Sequence, residues 1–334
     1  MDRKQQLEHW VQQQFPEKSL TLQPASADAS FRRYFRVSFD DQSFIVMDAP
    51  PEHEDCGPFI HAADILQASG VHVPSILQKN LELGFLLLTD LGSTTYLQAL
   101  QQRADEANRL YLDAIDALIG MQLSTQAHEL PVYDEALLTR EMNLFSDWYL
   151  AKHLQITLSE KQHVLLQNVF TSILQNNVAQ PKVLVHRDYH SRNLMLATPN
   201  PGILDFQDAV LGPITYDLVS LLKDAYISWD EECILDWVIR YWEKARKAGL
   251  PVATDFSVFY RDFEWMGVQR HIKVLGIFAR LNYRDGKSAY LNDMPLVMAY
   301  LRKVCGRYRE LSPLLDLLDE LNPVLPAQQI GYTF

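Results

Sequence analysis

Residues 183–193 read VLVHRDYHSRN, and residues 202–208 read GILDFQD. Each segment is a short apolar run followed by polar residues that suit catalysis or metal binding. The first supplies His186, Asp188 and Asn193, and the second, about a dozen residues later, supplies Asp205. The pattern H-R-D-x-x-x-x-N fixes four residue types at set spacing, so a chance match is improbable, and the second segment strengthens the signal.

These residue types predict phosphoryl transfer from ATP. A hydroxyl that attacks a phosphate needs an oriented carboxylate to accept its proton, and Asp188 suits that role. ATP is used with Mg²⁺, which prefers hard oxygen ligands, and Asn193 and Asp205 offer an amide oxygen and a carboxylate. We interpret His186 as a structural residue that holds the loop.

The two segments carry a resemblance. HRDYHSRN and LDF are similar to the catalytic loop and the metal-binding Asp-Phe of the protein-kinase-like fold, and the wider layout resembles the aminoglycoside phosphotransferase family. Residues 212–218 (GPITYDL) resemble the segment that leads into a helix in that family. The resemblance implies a two-lobed α+β fold. Residues 1–91 would form a small antiparallel-sheet lobe that binds nucleotide, and residues 92–334 a large helical lobe with the catalytic loop and acceptor site.

The N-terminal region resembles the same family. Residues 27–37 (ADASFRRYFRV) are similar to its nucleotide loop, and residues 86–92 (LLLTDLG) to the hinge whose backbone holds adenine. The resemblance implies that ATP is contacted by Ser30, Phe31, Arg32, Thr89, Asp90, Leu91, Asn193 and Asp205.

One departure concerns the phosphate-binding lysine of the third strand. No lysine occurs between Lys18 and Lys79, and the third strand offers Met47 and Asp48 instead. The positive charge must then come from Arg32, Arg33 or Arg36. We favour Arg32, which is nearest the nucleotide loop.

The acceptor is indicated by a narrower resemblance. DASFRRYFR, VMDAPP and HRDYHSRNLM are similar to the bacterial anomeric sugar kinases of cell-wall recycling, which implies that N-acetylmuramate and N-acetylglucosamine are phosphorylated at the anomeric (C1) hydroxyl. His190 and Arg192 lie within the catalytic loop and are acceptor candidates by position. Asp147 could bond a sugar hydroxyl, and Arg270 belongs to a basic stretch suited to a carboxylate-bearing sugar. Solvated helix faces are the plainer interpretation of those charges.

Three alternatives stay open. The acceptor could be an aminoglycoside, choline or another amino sugar. His186, Asp188 and His190 would share one face of a strand, as in a metal-dependent hydrolase. The missing lysine would also suit an inactive, kinase-like binding module.

Composition excludes several classes. The chain has 334 residues and a formal charge of -12, which disfavours nucleic-acid binding. The N-terminus is polar, and no apolar run approaches the roughly 18 residues of a spanning helix. Three distant cysteines form no metal or disulfide pattern. We therefore expect a cytoplasmic protein that binds neither nucleic acid nor membrane. The resemblance implies a small sugar as its partner, and we expect a monomer.

Hydrophobic periodicity gives a coarse element order. Strands are predicted at Ser19–Gln23, Phe31–Phe39, Ser43–Asp48, Val71–Leu77 and Gly84–Thr89, with one helix at Phe59–Ala68. The rest is predicted to be helical apart from residues 182–213. Helices are expected at Ala104–Leu123, at Tyr133–Leu154, after a capping box of Ser159 and Gln162, and onward to about Leu321.

Overall fold

The computed structural model describes residues 2–27 and 31–322, and these form two compact units. One unit runs to Leu130 and includes His186–Val210. The other comprises Pro131–Val185 and the described residues from Leu211 onward. The segment HRDYHSRN therefore belongs to the same unit as the N-terminal strands. The lobe boundary expected after Leu91 stays a prediction.

The first unit is built on a five-stranded sheet. Its strands are β1 Thr21–Ala27, β2 Arg33–Phe39, β3 Gln42–Asp48, β4 Ile76–Asn80 and β5 Phe85–Thr89. They lie in the order β1-β2-β3-β5-β4, and every neighbouring pair is antiparallel. The α+β fold with a five-stranded antiparallel sheet is confirmed, but the fourth strand spans Ile76–Asn80 and not the predicted Val71–Leu77.

An N-terminal helix corrects the sequence prediction, which placed a single helix in the first ninety residues. The helices of this unit are α1 Arg3–Gln14, α2 Gly57–Ala68, α3 Tyr96–Gln102 and α4 Ala107–Gln122. A capping box starts α1: the Asp2 carboxylate accepts the Gln5 N–H at 2.9 Å, and the Gln5 side chain accepts the Asp2 N–H at 3.1 Å. Its buried side chains are Leu7, Trp10 and Val11, an apolar stripe too short to give a clear helical period.

This short stripe covers one face of the sheet. The three side chains of α1 join a buried apolar cluster with strand residues Val37, Phe39, Val46, Phe85 and Leu87. Full burial of a large apolar side chain is worth about 1.5–3 kcal/mol. The helix is therefore held by packing, and its face of the sheet is closed to ligands.

A buried carboxylate sits at the end of β3 on that face. The side chain of Asp48 is 1% exposed, and its Oδ1 accepts from Arg3 Nε at 2.9 Å and Arg3 Nη2 at 2.7 Å. Arg33 donates to Oδ2. Two guanidinium groups thus compensate one buried charge, which would be costly if unpaired.

The second unit is mainly helical. Its helices are α5 Glu135–Leu144, a π-helix Phe145–His153, α6 Glu160–Val178, α7 Tyr216–Leu222, α8 Glu231–Lys247, α9 Phe256–Asp285, α10 Met294–Cys305 and α11 Ser312–Leu321. Strands β6 Lys182–Val185 and β9 Val210–Pro213 pair with each other. The capping box of Ser159 and Gln162 and the helical end at Leu321 are confirmed. Within residues 2–27 and 31–322, no helix is both long and apolar enough to cross a membrane.

The helix predicted over Tyr133–Leu154 is not uniform. It begins at Glu135 and widens to a π-helix at Phe145. At this point Gly276 of α9 lets the two helix backbones approach closely: a Cβ on Gly276 would lie 2.6 Å from the Leu144 carbonyl oxygen and 2.6 Å from the Phe145 nitrogen. Periodicity alone does not reveal this change, because both helix types present apolar residues every three to five positions.

Charged side chains are buried between α5, α7 and α9. Lys273 pairs with Glu141 at 3.0 Å and donates to the Tyr216 hydroxyl at 2.8 Å. Arg270 donates to the same hydroxyl at 3.3 Å and is 6% exposed. The network satisfies polar groups in the helical core, where an unpaired charge would cost several kcal/mol.

Candidate active site

A short hairpin determines where Asn193 and Asp205 lie. Strands β7 Leu194–Met195 and β8 Gly202–Ile203 pair in antiparallel register. Just beyond them, the Leu204 N–H donates to the Asn193 carbonyl at 2.9 Å. Residues that flank the same end of a hairpin are neighbours, so the two predicted metal ligands meet although twelve positions separate them.

The carboxamide of Asn193 links the two loops. Its nitrogen donates to the Asp188 carbonyl at 3.0 Å and to Asp205 Oδ2 at 3.2 Å. Both partners are acceptors, so the assignment of nitrogen and oxygen in this amide is fixed. The amide oxygen is thereby the atom suited to a metal, and the three residues of the predicted phosphate site lie in one neighbourhood.

His186 has the structural role that the sequence predicted. The ring is buried, its Nδ1 accepts the Asp188 N–H at 3.2 Å, and its Nε2 donates to the Leu204 carbonyl at 2.9 Å. Because Nδ1 accepts, the proton sits on Nε2, and both ring nitrogens are used. The histidine therefore ties the Asp188 backbone to the strand that leads into Asp205.

Both loops contain a residue in the left-handed backbone region. Arg187 has φ 76° and Asp205 has φ 63°. Non-glycine residues adopt this conformation at an energetic cost, least so for Asp and Asn, and such positions cluster at functional sites. The two strained residues adjoin Asp188 and the Asn193 contact.

A cavity of about 370 Å³ lies beside these loops in the first unit. It is lined by Ala25, Tyr34, Arg36, Ile45, Phe59, Pro74, Leu88, Thr89, Asp90, Leu91, Gly92, Ser93, Thr95, Gln98, Arg192, Asn193, Met195, Leu204, Asp205 and Phe206. The volume is in the range of small-molecule sites. The cavity therefore brings together the predicted hinge residues and both predicted metal ligands.

The sheet face that lines this cavity is opposite the face packed on α1. Tyr34 and Arg36 on β2 alternate with Val37 and its neighbours, as strand geometry requires. Arg36 donates to the two carboxylate oxygens of Asp90 at 2.6 and 3.1 Å, and to the Gly92 carbonyl at 2.7 Å. This arginine fixes the segment that follows β5.

Asp90 is held as an anion at this hinge. Burial alone would raise the pKa of Asp90, but hydrogen bonds from Arg36 and from the Gly92 N–H outweigh it, and the net pKa is lowered. The hydrogen bond to Asp90 in turn raises the pKa of Arg36. The pair is charged near neutral pH and rigidifies the hinge.

Each of the three candidate arginines has a different carboxylate partner. Arg33 pairs with Asp48 on the sheet face that packs on α1, called the outer face below, and Arg36 pairs with Asp90 at the hinge. Arg32, the residue before β2, pairs with Glu54 at 3.0 Å, and both side chains are at least 85% buried. Phe31, which is exposed, stacks on His53 at 4.7 Å. Two successive loop residues are thus fastened to the turn that precedes α2, while Ser30 lies outside the described residues.

The acceptor candidates are distributed over both units. Arg192 is exposed and lines the cavity, and the backbone N–H of partly buried His190 donates to the Asp188 carbonyl at 3.0 Å. Asp147 is exposed on the π-helix, and Arg270 lies in the buried network of α9. The geometry associates His190 and Arg192 with the catalytic loop, and the roles of all four stay predictions.

The metal-hydrolase alternative finds no support in the described ranges. They contain no group of three His, Cys, Asp or Glu side chains able to hold a metal ion. His186, which that alternative needs as a ligand, uses both ring nitrogens for the fold. The stretch from His186 to His190 is a loop between strands, so its side chains do not line one strand face.

Sequence reasoning overlooked Glu54 and Gln207. Glu54 pairs with Arg32, which is distant in the sequence, so no short sequence motif predicts the contact. Gln207 Nε2 donates to Asp205 Oδ1 at 2.8 Å. The available signal was its position, two residues after the metal-binding aspartate in the segment LDFQD.

Comparisons with known proteins show what this chain is similar to. The model of a family described as "Phosphotransferase enzyme family" matches residues 21–250. A protein of Neisseria meningitidis serogroup B named N-acetylmuramate/N-acetylglucosamine kinase is 52% identical over 324 residues, covering 96% of each chain. A Pseudomonas putida protein of the same name is 49% identical over 331 residues, again covering 96% of each. The ADP-bound crystal structure of aminoglycoside phosphotransferase APH(2'')-Ib has a TM-score of 0.59 at 13% identity, covering 90% of this chain and 98% of that one.

Proposed function

Because the chain belongs to the phosphotransferase enzyme family, we propose that it transfers the γ-phosphate of ATP to the anomeric hydroxyl of N-acetylmuramate and of N-acetylglucosamine. The assignment of the acceptor rests on sequence identity: about half of all positions, over nearly the whole chain, are identical to those of kinases named for these two sugars. The observation that carries the chemistry is the contact of Asn193 with both Asp188 and Asp205.

Asp188 is the general base of this proposal. Its carboxylate orients the sugar hydroxyl and accepts the proton as the oxygen attacks the γ-phosphorus. The new bond joins the sugar oxygen to phosphorus, the bond between that phosphorus and the β–γ bridging oxygen breaks, and ADP leaves. Catalysis of this kind is mainly positioning and electrostatic stabilisation, so rigid support of Asp188 by His186 contributes directly.

The donor set fits a magnesium ion. The Asn193 amide oxygen and the Asp205 carboxylate would hold it, and bound Mg²⁺ would neutralise charge on the phosphates. Two protein ligands leave room for phosphate oxygens and water, which Mg²⁺ retains readily. The contact between the Asn193 nitrogen and Asp205 keeps both groups oriented before nucleotide arrives.

Arg32 supplies the positive charge that the third strand lacks. Arg33 pairs with Asp48 on the outer face and Arg36 pairs with Asp90 at the hinge, whereas Arg32 follows the nucleotide loop directly. Glu54 orients the Arg32 guanidinium, as a carboxylate orients the lysine in kinases. Thr89, Asp90 and Leu91 would present backbone groups to adenine, with Arg36 bracing that segment.

The acceptor side is assigned by charge. N-acetylmuramate carries a carboxylate, and Arg192 is an exposed guanidinium in the catalytic loop that lines the cavity. Arginine binds carboxylates with paired hydrogen bonds, so Arg192 would favour N-acetylmuramate over the uncharged sugar. His190 is placed to contact a sugar hydroxyl, and Asp147 and Arg270 stay further candidates.

One assay tests the proposal. ADP formation is measured with N-acetylmuramate, N-acetylglucosamine, choline and an aminoglycoside, and the phosphorylated position is found by ³¹P NMR. We expect turnover with the two amino sugars and phosphate on C1. Turnover with choline or the aminoglycoside alone, or phosphate on another carbon, would refute the acceptor assignment.

A further inference from the structure

The Asp205 carboxylate accepts hydrogen bonds from two amide side chains, one of them Gln207. Gln207 Nε2 donates to Asp205 Oδ1 at 2.8 Å, and Asn193 Nδ2 donates to Oδ2 at 3.2 Å. Each carboxylate oxygen therefore accepts one amide N–H. The orientation of the Gln207 amide is fixed, because turning it over would set its oxygen against a carboxylate oxygen.

Because Nε2 of Gln207 donates to Asp205, its amide oxygen points elsewhere and makes no hydrogen bond within the described residues. Oε1 is buried and accepts no hydrogen bond from any residue in the described ranges. A buried acceptor without a donor is energetically unfavourable, so such a group beside a metal ligand calls for a donor that arrives with a ligand. Gln207 lies in the turn closed by the Ala209 N–H to Phe206 carbonyl bond at 3.0 Å, so its backbone is fixed.

Mg²⁺ brings such donors. It keeps several water molecules when bound by one or two protein groups, and their O–H groups seek acceptors. Partners of this outer shell orient the direct ligands and commonly change metal affinity by about 10–100-fold.

We propose that Gln207 is an outer-shell residue of the magnesium site: Nε2 fixes the Asp205 carboxylate, and Oε1 accepts a hydrogen bond from the hydration shell of the cation. The inference rests on the proposed function only for the presence of Mg·ATP and not for the sugar. Gln207 is a positioning residue for Asp205. Hydrogen bonds between side chains join it to Asp205 and, through Asp205, to Asn193.

The test measures cation-dependent nucleotide binding without any sugar. A fluorescent ATP analogue is titrated at increasing Mg²⁺, and the apparent cation constant is compared for the wild type, Gln207→Leu and Asp208→Asn. Gln207→Leu keeps the size of the side chain but loses both polar groups. Asp208→Asn alters the exposed neighbour in the same turn. We expect Gln207→Leu to need about tenfold more Mg²⁺ for nucleotide binding, and its nucleotide binding in EDTA to match that of the wild type. The apparent cation constant of Asp208→Asn should equal that of the wild type.

A second variant keeps the proposal falsifiable if Gln207→Leu does not fold. Gln207→Glu retains an oxygen, loses the donor and adds a carboxylate, which favours the larger and more carboxylate-rich Ca²⁺. A change of about tenfold or more in the ratio of the Mg²⁺ and Ca²⁺ constants supports the role, because damage to the fold alone would weaken both cations equally. A folded leucine variant within about twofold of wild type, or an unchanged cation ratio in the glutamate variant, overturns it. Wild-type protein that binds Mg·ATP but phosphorylates no sugar would refute the proposed acceptor and leave this assignment standing.

Discussion

Single residues decide whether this site can carry out its chemistry. The backbone of Asp188 is held by three hydrogen bonds: its N–H donates to His186 Nδ1, and its carbonyl accepts from Asn193 Nδ2 and from the His190 N–H. These three bonds do not use the carboxylate. A change of side chain at this position therefore alters proton transfer and leaves the supports of the loop in place.

We expect Asp188→Asn to fold normally and to lower kcat by about 10²–10⁴-fold, the usual contribution of a general base. Affinity for Mg·ATP, measured by fluorescence titration, should change little. Turnover within a few-fold of wild type would show that another group accepts the proton.

Loss of Arg32 should affect one substrate selectively. We expect Arg32→Ala and Glu54→Gln to raise the KM for ATP by about 10–100-fold, as for a lost charge-assisted hydrogen bond, with a smaller effect on the KM for the sugar. Arg33→Ala is the matched control, because that side chain pairs with Asp48 on the outer face. A larger effect on the sugar than on ATP would assign Arg32 to the acceptor instead.

The site residues that could be predicted from sequence were those that a short local structure brings together. Asn193 and Asp205 flank a hairpin whose strands are readable as apolar runs, so their proximity could be foreseen. Glu54 meets Arg32 only through the folding of the whole unit. Gln207 is recognisable only when its amide geometry is seen beside Asp205.

At the scale of elements, the hinge after β5 is held mainly by one ion pair. The pKa of Asp90 in the folded protein lies below its ordinary value of 3.8, so the pair stabilises the fold above that pH. The contribution is lost as the pH falls through the lowered folded value, where the carboxylate becomes protonated. The hinge should therefore loosen in acid.

Asp90→Asn tests this dependence. At pH 7 we expect the variant to be less stable to unfolding by about 1–2 kcal/mol, since a charged acceptor of several hydrogen bonds is replaced. Below pH 3.8 the difference from wild type should shrink. Asp40→Asn is the control, because Asp40 is 68% exposed and its pair with Lys18 contributes little. A constant difference between the two proteins from pH 7 to pH 3 would contradict the assignment.

The contact of α9 with the π-helix should tolerate no added methyl group. Gly276→Ala would set a Cβ against the backbone of Leu144 and Phe145, which cannot move aside, so we expect a loss of about 1–3 kcal/mol in stability. Gly267→Ala on the same helix is the matched control, because its nearest neighbours would lie 3.8 Å away. We expect that substitution to be neutral or to stabilise by up to about 1 kcal/mol. Denaturant unfolding of both variants gives the comparison.

Elements with a strong period were predictable, and those that depend on their partners were not. Strands β1, β2, β3 and β5 and helix α2 follow from alternation and from apolar spacing, whereas β4 lies at Ile76–Asn80 and not at the predicted Val71–Leu77. Helix α1 has a weak stripe and is held by the sheet it covers. The π-helix begins where the backbone approaches Gly276, more than a hundred residues away in the sequence, so its local pattern carries no sign of it.

At the scale of the whole molecule, nucleotide binding should stabilise the chain. A ligand that binds only the folded state adds about 2.7 kcal/mol at one hundred times its dissociation constant. We expect Mg·ATP to raise the Tm of the wild type, and Asp205→Asn to abolish that rise. Asparagine tolerates the left-handed backbone of Asp205, so the variant should fold. ATP in EDTA serves as the control, and an equal rise in the variant would exclude Asp205 as a metal ligand.

The charge cluster around Asp48 restricts which side chains this position can accept. A lysine introduced at position 48 would place an ammonium group in a buried spot already occupied by the guanidinium groups of Arg3 and Arg33. Like charges at such distances repel strongly away from water. A cationic side chain at position 48 is therefore compatible with the fold only if both arginines change with it, which makes the three positions interdependent.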